Sequence, residues 1–447
     1  MSATSERERP AAYQRFVRPT PTWFAESGLG IFIHWGAYSV PAWAEPIGEL
    51  GTIEKRYWFA HNPYAEWYFN TIRIDGSPAQ QHHRTVYHDA PYDDFLDEWT
   101  AESFDAAELA ALFRRAGAGF VIPTTKHHDG ITLWDAPGTN DRNTVRRGPK
   151  RDLVQEIATA TRAAGMRFGV YYSSGLDWHV APTPPIVDEG DGFHIPQDEA
   201  YARYAYAHVM DLIERYTPDV LWGDISYPAA GIPPGPYSFV NVLDRFYADV
   251  PDGVVNDRWG LTHWDFRTSE YQQGLEVQGH GRWQSCRGIG YSFGYNQIED
   301  ETHYLDASGA IKELLDVVSR GGNLLLNVGP DAAGRIPALQ RTCLEGMAGW
   351  MAGNAAAVHA VTPVDASVAS SSARPWTRWT QGGGYRYAAV DAAEPVQLAC
   401  SAETVDVGSA ALPDGTGVTA EAVDGAIRVE VPAVPGNGPA VIRFRLR

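Results

Sequence analysis

The sequence predicts an α/β protein, with a (β/α)8-like barrel over residues 1–360 and a C-terminal all-β sandwich over residues 361–447. Three observations support this. The 447 residues exceed the roughly 250–300 over which one hydrophobic core keeps growing. Short apolar runs alternate with amphipathic helical patterns from about residue 20 to 355. Beyond that point apolar and polar residues alternate in short segments, which is typical of half-buried strands.

Continuous apolar strands followed by helices indicate a parallel sheet that helices cover. At this chain length a barrel of the TIM type fits best. We predict strands at 28–34, 119–125, 167–172, 219–224 and 322–328, and helices at 104–116, 152–164, 201–216 and 310–318. In the C-terminal unit, segments separated by Gly, Pro and Asp predict antiparallel strands at 385–390, 396–400, 427–431 and 441–445.

Composition narrows the class of protein. A net charge of −19 disfavours nucleic acid as a partner, because an acidic surface repels phosphates. The chain lacks an apolar stretch of about 18 residues, so no association with a membrane is expected. The N-terminus lacks the apolar run of a secretory signal, and the three cysteines are scattered, so we expect a cytoplasmic protein.

Polar residues follow the predicted barrel strands abruptly. In barrels of this kind, catalytic residues lie at the carboxyl ends of the strands. Five such endings together predict a polar cavity, and they are His34-Trp-Gly36, Lys126-His-His-Asp-Gly130, Tyr171-Tyr-Ser173, Trp222-Gly-Asp224 and Asn256-Asp-Arg-Trp-Gly260.

Each of these residues also has a structural explanation. His127 and His128 could bond carbonyl groups in the core or bind a metal, although no Cys or further His lies at a ligand spacing. Arg258 could pair with a neighbouring Asp. Asp224 could cap the next helix. Neither a metal nor another cofactor is expected from the residues.

Six motifs taken together resemble glycoside hydrolase family 29, the α-L-fucosidases. The resemblance runs from about residue 23 to 360, and the segment from 255 to 296 resembles the bacterial branch of the family in particular. The motifs are His34-Trp-Gly36, Thr125-Lys-His-His-Asp-Gly130, Gly148-Pro-Lys-Arg-Asp-Leu153, Tyr171-Tyr-Ser173, Leu221-Trp-Gly-Asp224 and Gly321-Gly-Asn-Leu-Leu-Leu-Asn-Val-Gly-Pro330.

The resemblance implies a retaining exo-α-L-fucosidase that acts on fucosylated oligosaccharides or aryl fucosides by double displacement. It places the nucleophile on Asp224, with Trp222 as a wall of the pocket and Phe293 as a weaker candidate for the site of the fucose methyl group. It leaves the oligomeric state open, a homo-oligomer included. The implied contacts to fucose hydroxyls are His34, Glu66, Trp67, His127, His128, Tyr171 and Arg258.

One position departs from the family. The family's acid/base is a Glu directly after a Trp, and here the pair is Trp283-Gln284. An amide has no carboxylic proton to donate. The favoured interpretation is an acid/base variant, Glu to Gln, with impaired turnover, in which Gln284→Glu raises hydrolysis of unactivated fucosides by about 10²–10⁴-fold.

Other interpretations remain open. A different carboxylate could act as acid/base, with Glu66 as the leading substitute and Glu270 and Glu276 on one loop segment. The chain could bind fucosides without turnover. It could also be an α-L-galactosidase, since a methyl pocket rejects an added hydroxyl only modestly.

Overall fold

The computed structural model describes residues 9–188, 192–271, 281–392, 394–432 and 438–447. Eight parallel strands lie at Leu29–Ile33 (β1), Phe120–Lys126 (β2), Arg167–Ser173 (β3), Val220–Asp224 (β4), Val254–Val255 (β5), Arg267–Glu270 (β6), Trp283–Gly288 (β7) and Gly322–Val328 (β8). Their order in the sheet is β5-β4-β3-β2-β1-β8-β7-β6. A parallel bridge between Asn256 and Phe266 joins the two outer strands, so the sheet closes into the predicted barrel.

The helices lie at Thr22–Glu26 (α1), Lys55–Trp58 (α2), Tyr68–Thr71 (α3), Pro78–Tyr87 (α4), Asp94–Glu98 (α5), Ala106–Arg115 (α6), Leu153–Ala163 (α7), Glu199–Tyr216 (α8), Phe239–Asp249 (α9), Ala307–Ser319 (α10) and Ala338–Asn354 (α11). Each of the helices α6 to α10 begins after an Asp or Ser whose side chain accepts a hydrogen bond from a backbone N–H of the first turn. None of the described helices is long and apolar enough to cross a membrane.

The predicted strands and helices of the barrel are confirmed within a few residues at each end. Within the described residues, no α-helix lies between β5 and β6 or between β6 and β7. The sequence pattern gave bounds for none of these three strands, although the polar residues after β5 were recognised as a strand ending. β5 consists of two valines, whereas β6 and β7 carry polar side chains.

The C-terminal unit is all β, as predicted. Its strands pair antiparallel in two sheets that enclose a separate apolar core, which includes Trp379, Ile427 and Phe444. The strands lie at Thr362–Pro363 (β9), Ser372–Ala373 (β10), Trp376–Gly382 (β11), Tyr385–Asp391 (β12), Val396–Leu398 (β13), Val405–Ala411 (β14), Ala420–Val423 (β15), Ala426–Val429 (β16) and Ala440–Leu446 (β17).

Polar contacts join the sandwich to the barrel. Asp316 on α10 is buried and pairs with Arg320 on the same helix and with Arg378 on β11. The indole N–H of Trp350 on α11 donates to the carbonyl of Pro439, at 3.0 Å. The sandwich therefore packs against the last two barrel helices.

Candidate active site

A cavity of about 110 Å³ opens at the carboxyl ends of the barrel strands. It is small beside the 300–1,000 Å³ of typical ligand pockets, so it suits one small ring. The structure brings ten of the residues predicted for the site to its wall, and they are His34, Glu66, Trp67, His127, His128, Tyr171, Trp222, Asp224, Arg258 and Phe293.

Asp224 is the last residue of β4. Its Oδ2 accepts a hydrogen bond from the hydroxyl of Tyr171 (2.9 Å), and its Oδ1 accepts one from the backbone N–H of Ile225 (3.0 Å). Asp224 does not cap a helix, since α9 begins later in the chain and has Ser238 as its cap. Burial raises the pKa of Asp224, whereas the guanidinium of Arg258 opposes this rise. The side chain is thus a positioned carboxylate facing the cavity.

Arg258 joins Asp224 to a second carboxylate. Its Nη1 donates to Oδ1 of Asp224 (3.3 Å), and its Nη2 donates to Oε2 of Glu270 (2.9 Å). Its Nε donates to the hydroxyl of Thr268 (3.0 Å), and the hydroxyl of Tyr64 donates to Oε1 of Glu270 (2.8 Å). One fixed cation therefore holds two carboxylates on the same cavity.

His34 is a neutral acceptor facing the cavity. Burial lowers its pKa to about 3. Its Nδ1 lies 2.7 Å from Oδ1 of Asn327, and the amide nitrogen of Asn327 donates to the carbonyl of Phe293. Since that bond identifies Oδ1 as the acceptor atom of Asn327, Nδ1 of His34 carries the proton and Nε2 is free to accept.

His128 is oriented in the same manner. Its Nδ1 lies 2.7 Å from the hydroxyl of Ser173, which donates its own proton to the carbonyl of Leu176. Burial lowers the pKa of both His128 and His127 well below the ordinary value. Nδ1 of His127 is buried and has no hydrogen-bond partner among the described residues. Neutral ring nitrogens of this kind suit hydroxyl groups.

Glu66 lies in a short 3-10 helix and lines the cavity. Its Oε2 accepts hydrogen bonds from the backbone N–H of Gly294 (2.7 Å) and from the hydroxyl of Ser292 (3.2 Å). Burial raises its pKa to about 7, so this carboxyl group carries a proton over part of the neutral range. Trp67, next in the chain, packs edge-on against His128 at 5.3 Å.

Aromatic rings complete the wall. Trp222 stacks with Tyr171 at 5.5 Å and meets Phe32 edge-on at 4.9 Å. Phe293 lies 4.9 Å from His34 and is buried. The cavity therefore offers an apolar side beside its polar one.

Gln284, predicted at the acid/base position, does not line the cavity and lies deeper in the barrel. The side chain is fully buried, its Oε1 accepts the indole N–H of Trp222 (2.9 Å), and its Nε2 donates to Oδ1 of Asn323 (3.0 Å). Cys286, two residues later on β7, does line the cavity. Two residues of strand correspond to roughly 6–7 Å, so Gln284 occupies the next layer down in the barrel.

Glu270 lies at the level of the cavity and lines it. It is the last residue of β6 and pairs in register with Cys286, whereas Gln284 pairs with Thr268. The rule that polar residues follow strands would have found it, had the short polar strand itself been recognised. Glu276, the other carboxylate considered on that segment, lies outside the described residues.

Further lining residues were not predicted from the sequence. They are Phe32, Leu50, Trp58, Phe59, Tyr64, Phe193, Ile225 and Cys286. Most are apolar and lie outside the barrel strands, where a single sequence gives no period to identify them. Among the described residues, no group of three or more His, Cys, Asp or Glu side chains could hold a metal ion.

Comparisons with known proteins agree with this geometry. A family model described as alpha-L-fucosidase matches residues 2–356. The α-L-fucosidase of Dictyostelium discoideum is 31% identical over 372 residues, which are 80% of this chain and 76% of that protein. The tissue α-L-fucosidase of Homo sapiens is 32% identical over 383 residues, which are 83% of this chain and 75% of that protein.

Solved structures give the same result. A structure described as an α-L-fucosidase has a TM-score of 0.88 and 39% identity, and the match covers 98% of this chain and 100% of that one. The α-fucosidase of Thermotoga maritima in complex with a mechanism-based inhibitor has a TM-score of 0.84 and 39% identity, covering 96% and 97%. On the family model and these relatives, the chain belongs to the α-L-fucosidases, a family of glycoside hydrolases.

Proposed function

We propose that the protein is a retaining exo-α-L-fucosidase in which Asp224 is the nucleophile and Glu270 is the acid/base. The observation that carries the proposal is the Arg258 bridge, in which one guanidinium contacts an oxygen of each carboxylate. Double displacement needs two carboxyl groups about 5–5.5 Å apart on either side of the scissile bond, and a shared guanidinium supports such proximity.

The reaction follows from these positions. Asp224 attacks the anomeric carbon while Glu270 donates a proton to the departing glycosidic oxygen, which leaves a covalent fucosyl-enzyme. Glu270, now ionised, takes a proton from water, and the water oxygen displaces Asp224 from the same carbon. Two inversions give net retention. The hydroxyl of Tyr171 and the guanidinium of Arg258 stabilise the Asp224 carboxylate before attack and as it departs.

The wall of the cavity suits a single terminal fucose. Nε2 of His34 and Nε2 of His128 can accept hydrogen bonds from sugar hydroxyls, and the unpartnered Nδ1 of His127 supports a further contact. The buried ring of Phe293 supports a methyl contact at C6. The small volume of the cavity supports exo action on fucosylated oligosaccharides or aryl fucosides.

Related proteins support this assignment. The Thermotoga maritima enzyme has been solved in complex with fucose, with 38% identity to this chain. That identity supports placing the chain near the bacterial branch of the family. The interpretation as a fucoside-binding protein without turnover depended on Gln284, which lies outside the cavity.

The test is the stereochemistry of hydrolysis. We expect the wild-type enzyme to release α-L-fucose first from an aryl α-L-fucoside, followed by NMR before mutarotation. Asp224→Gly should lose this activity and, with added azide, should form the β-fucosyl azide. Release of β-fucose first, or an Asp224→Gly variant with wild-type turnover, would exclude the proposed mechanism. Competition between an aryl α-L-fucoside and an aryl α-L-galactoside measures how strongly the enzyme prefers a methyl group over a hydroxymethyl group at C5 of the sugar.

A further inference from the structure

Beside Arg258 and Glu270, the mouth of the cavity, which is the part of its wall nearest to solvent, is apolar. Most lining residues are buried, and partial exposure identifies those nearest to solvent. Apart from Arg258 and Glu270, the partly exposed lining residues are Leu50, Trp58, Phe193 and Ile225. Their side chains together offer a single polar group, the indole N–H of the tryptophan.

These residues lie where a leaving group must pass. Glu270 has to reach the glycosidic oxygen within hydrogen-bond distance, so the leaving group extends from Glu270 towards solvent. Trp58 meets the ring of Tyr64 edge-on at 5.1 Å, and Tyr64 donates its hydroxyl proton to Glu270. Trp58 is thus in contact with the side chain that orients the proposed acid/base.

Two residues at the mouth are held in a conformation that their side chains disfavour. Phe193 and Ile225 both have a φ of 60°. A bulky or β-branched residue rarely adopts this left-handed conformation, and such strain concentrates at functional sites. The backbone N–H of Ile225 also donates a hydrogen bond to Asp224, so the backbone of Ile225 is fixed relative to the proposed nucleophile.

The loop that carries Leu50 is anchored to the barrel. Oε1 of the preceding Glu49 lies 2.7 Å from Nη2 of Arg287 on β7, and the arginine side chain is buried. The apolar mouth is therefore supported by a charged contact beneath it, which favours a preformed surface.

We propose that Leu50, Trp58, Phe193 and Ile225 form the leaving-group subsite and bind aglycones through an apolar face. That face is either an aromatic ring or the C–H face of a sugar. Because the subsite has almost no hydrogen-bonding groups, it distinguishes linkages only weakly, as hydrophobic pockets do. This inference rests on the proposed fucosidase function.

The test compares Trp58→Ala with Tyr57→Ala. Tyr57 is an aromatic residue on the same helix, is 43% exposed and does not line the cavity. The substrates are an aryl α-L-fucoside, a fucosyl disaccharide and α-L-fucosyl fluoride, whose leaving group is too small to reach the mouth. We expect Trp58→Ala to lower kcat/KM for the first two about tenfold relative to the fluoride, whereas Tyr57→Ala leaves the ratios unchanged.

The three substrates and the second variant distinguish the possible outcomes. A relative loss for the aryl fucoside alone assigns the subsite to aromatic aglycones, and a relative loss for the disaccharide alone assigns it to sugar faces. Unchanged ratios in both Trp58→Ala and a second variant, Phe193→Ala, would overturn the subsite. A wild-type enzyme inactive on all three substrates would instead reject the fucosidase function itself.

Discussion

Replacing Glu270 by Gln removes the proposed acid/base and keeps the shape of the side chain. The amide oxygen can still accept a hydrogen bond from Tyr64 or Arg258, so the pocket should stay intact. General acid catalysis contributes about 10²–10⁴-fold. We expect kcat/KM for fucosides with poor leaving groups to fall by that factor.

Substrates with good leaving groups separate the two half-reactions. An aryl fucoside with an acidic phenol needs little protonation, so Asp224 should still be fucosylated in Glu270→Gln. Hydrolysis of the fucosyl-enzyme should then limit turnover, because no base activates water. A burst of phenol followed by slow release is the expected time course in a stopped-flow assay. Azide, which needs no general base, should accelerate the second step.

Gln284→Glu is the matched control. It places a carboxyl group at the Trp-Glu position of the family motif, one layer below the cavity. Because Gln284 is fully buried against Trp222 and Asn323, the new group cannot reach a glycosidic oxygen. We expect no increase in kcat/KM for unactivated fucosides.

Two results would refute this reasoning. One is an increase of about 100-fold or more in Gln284→Glu, which would return the acid/base to that position. The other is a Glu270→Gln variant that hydrolyses unactivated fucosides at the wild-type rate. Circular dichroism and Tm of both variants exclude a folding defect as the cause of any loss.

Three further predictions concern charge and stability. Arg258→Gln removes the cation that opposes the raised pKa of Asp224, so the acidic limb of the kcat/KM profile should move to higher pH; an unchanged limb contradicts this. Asp316→Asn should lower the free energy of unfolding by about 2–3 kcal/mol, because it leaves two arginines at the domain contact without a counter-charge. The matched control for this prediction is Asp391→Asn, at a more exposed pair between the same two units, which should lower the free energy of unfolding by less than about 1 kcal/mol in the same denaturation assay. Burial raises the pKa of Glu299 to about 8. The unfolded state releases this proton from about pH 4.5 upward, whereas the folded state keeps it, so the free energy of unfolding should fall as the pH rises from about 4.5 to about 8. Glu299→Gln should flatten that part of a Tm–pH profile, and an equally steep decline in the variant would be evidence against this group as its source.

Much of the barrel could be predicted because burial on both faces makes its strands continuously apolar. The five recognised strand ends carry Asp224, Tyr171 and three histidines, and the closed sheet brings them together. The bounds of β5, β6 and β7 were not predicted, although the polar residues after β5 were recognised as a strand ending. β5 has two residues, and β6 reads Arg-Thr-Ser-Glu, with no apolar period to reveal it.

Gln284 and Glu270 differ in their depth along the barrel strands. A motif match aligns residues in sequence, whereas proton transfer depends on the height of a side chain in the barrel. Gln284 is the second residue of β7, and Glu270 is the last residue of β6. Had β6 been recognised, the rule that catalytic groups lie at carboxyl ends would have favoured Glu270.

The position of Arg258 also suits both halves of the proposed reaction. Before attack, Asp224 is ionised and Glu270 carries a proton. In the fucosyl-enzyme, Asp224 is an uncharged ester and Glu270 is ionised. One negative charge therefore moves from the first carboxylate to the second, and the guanidinium already contacts both. Because the cation need not move to follow the charge, it stabilises each state without reorganisation, which is the condition under which fixed charges are most effective in catalysis.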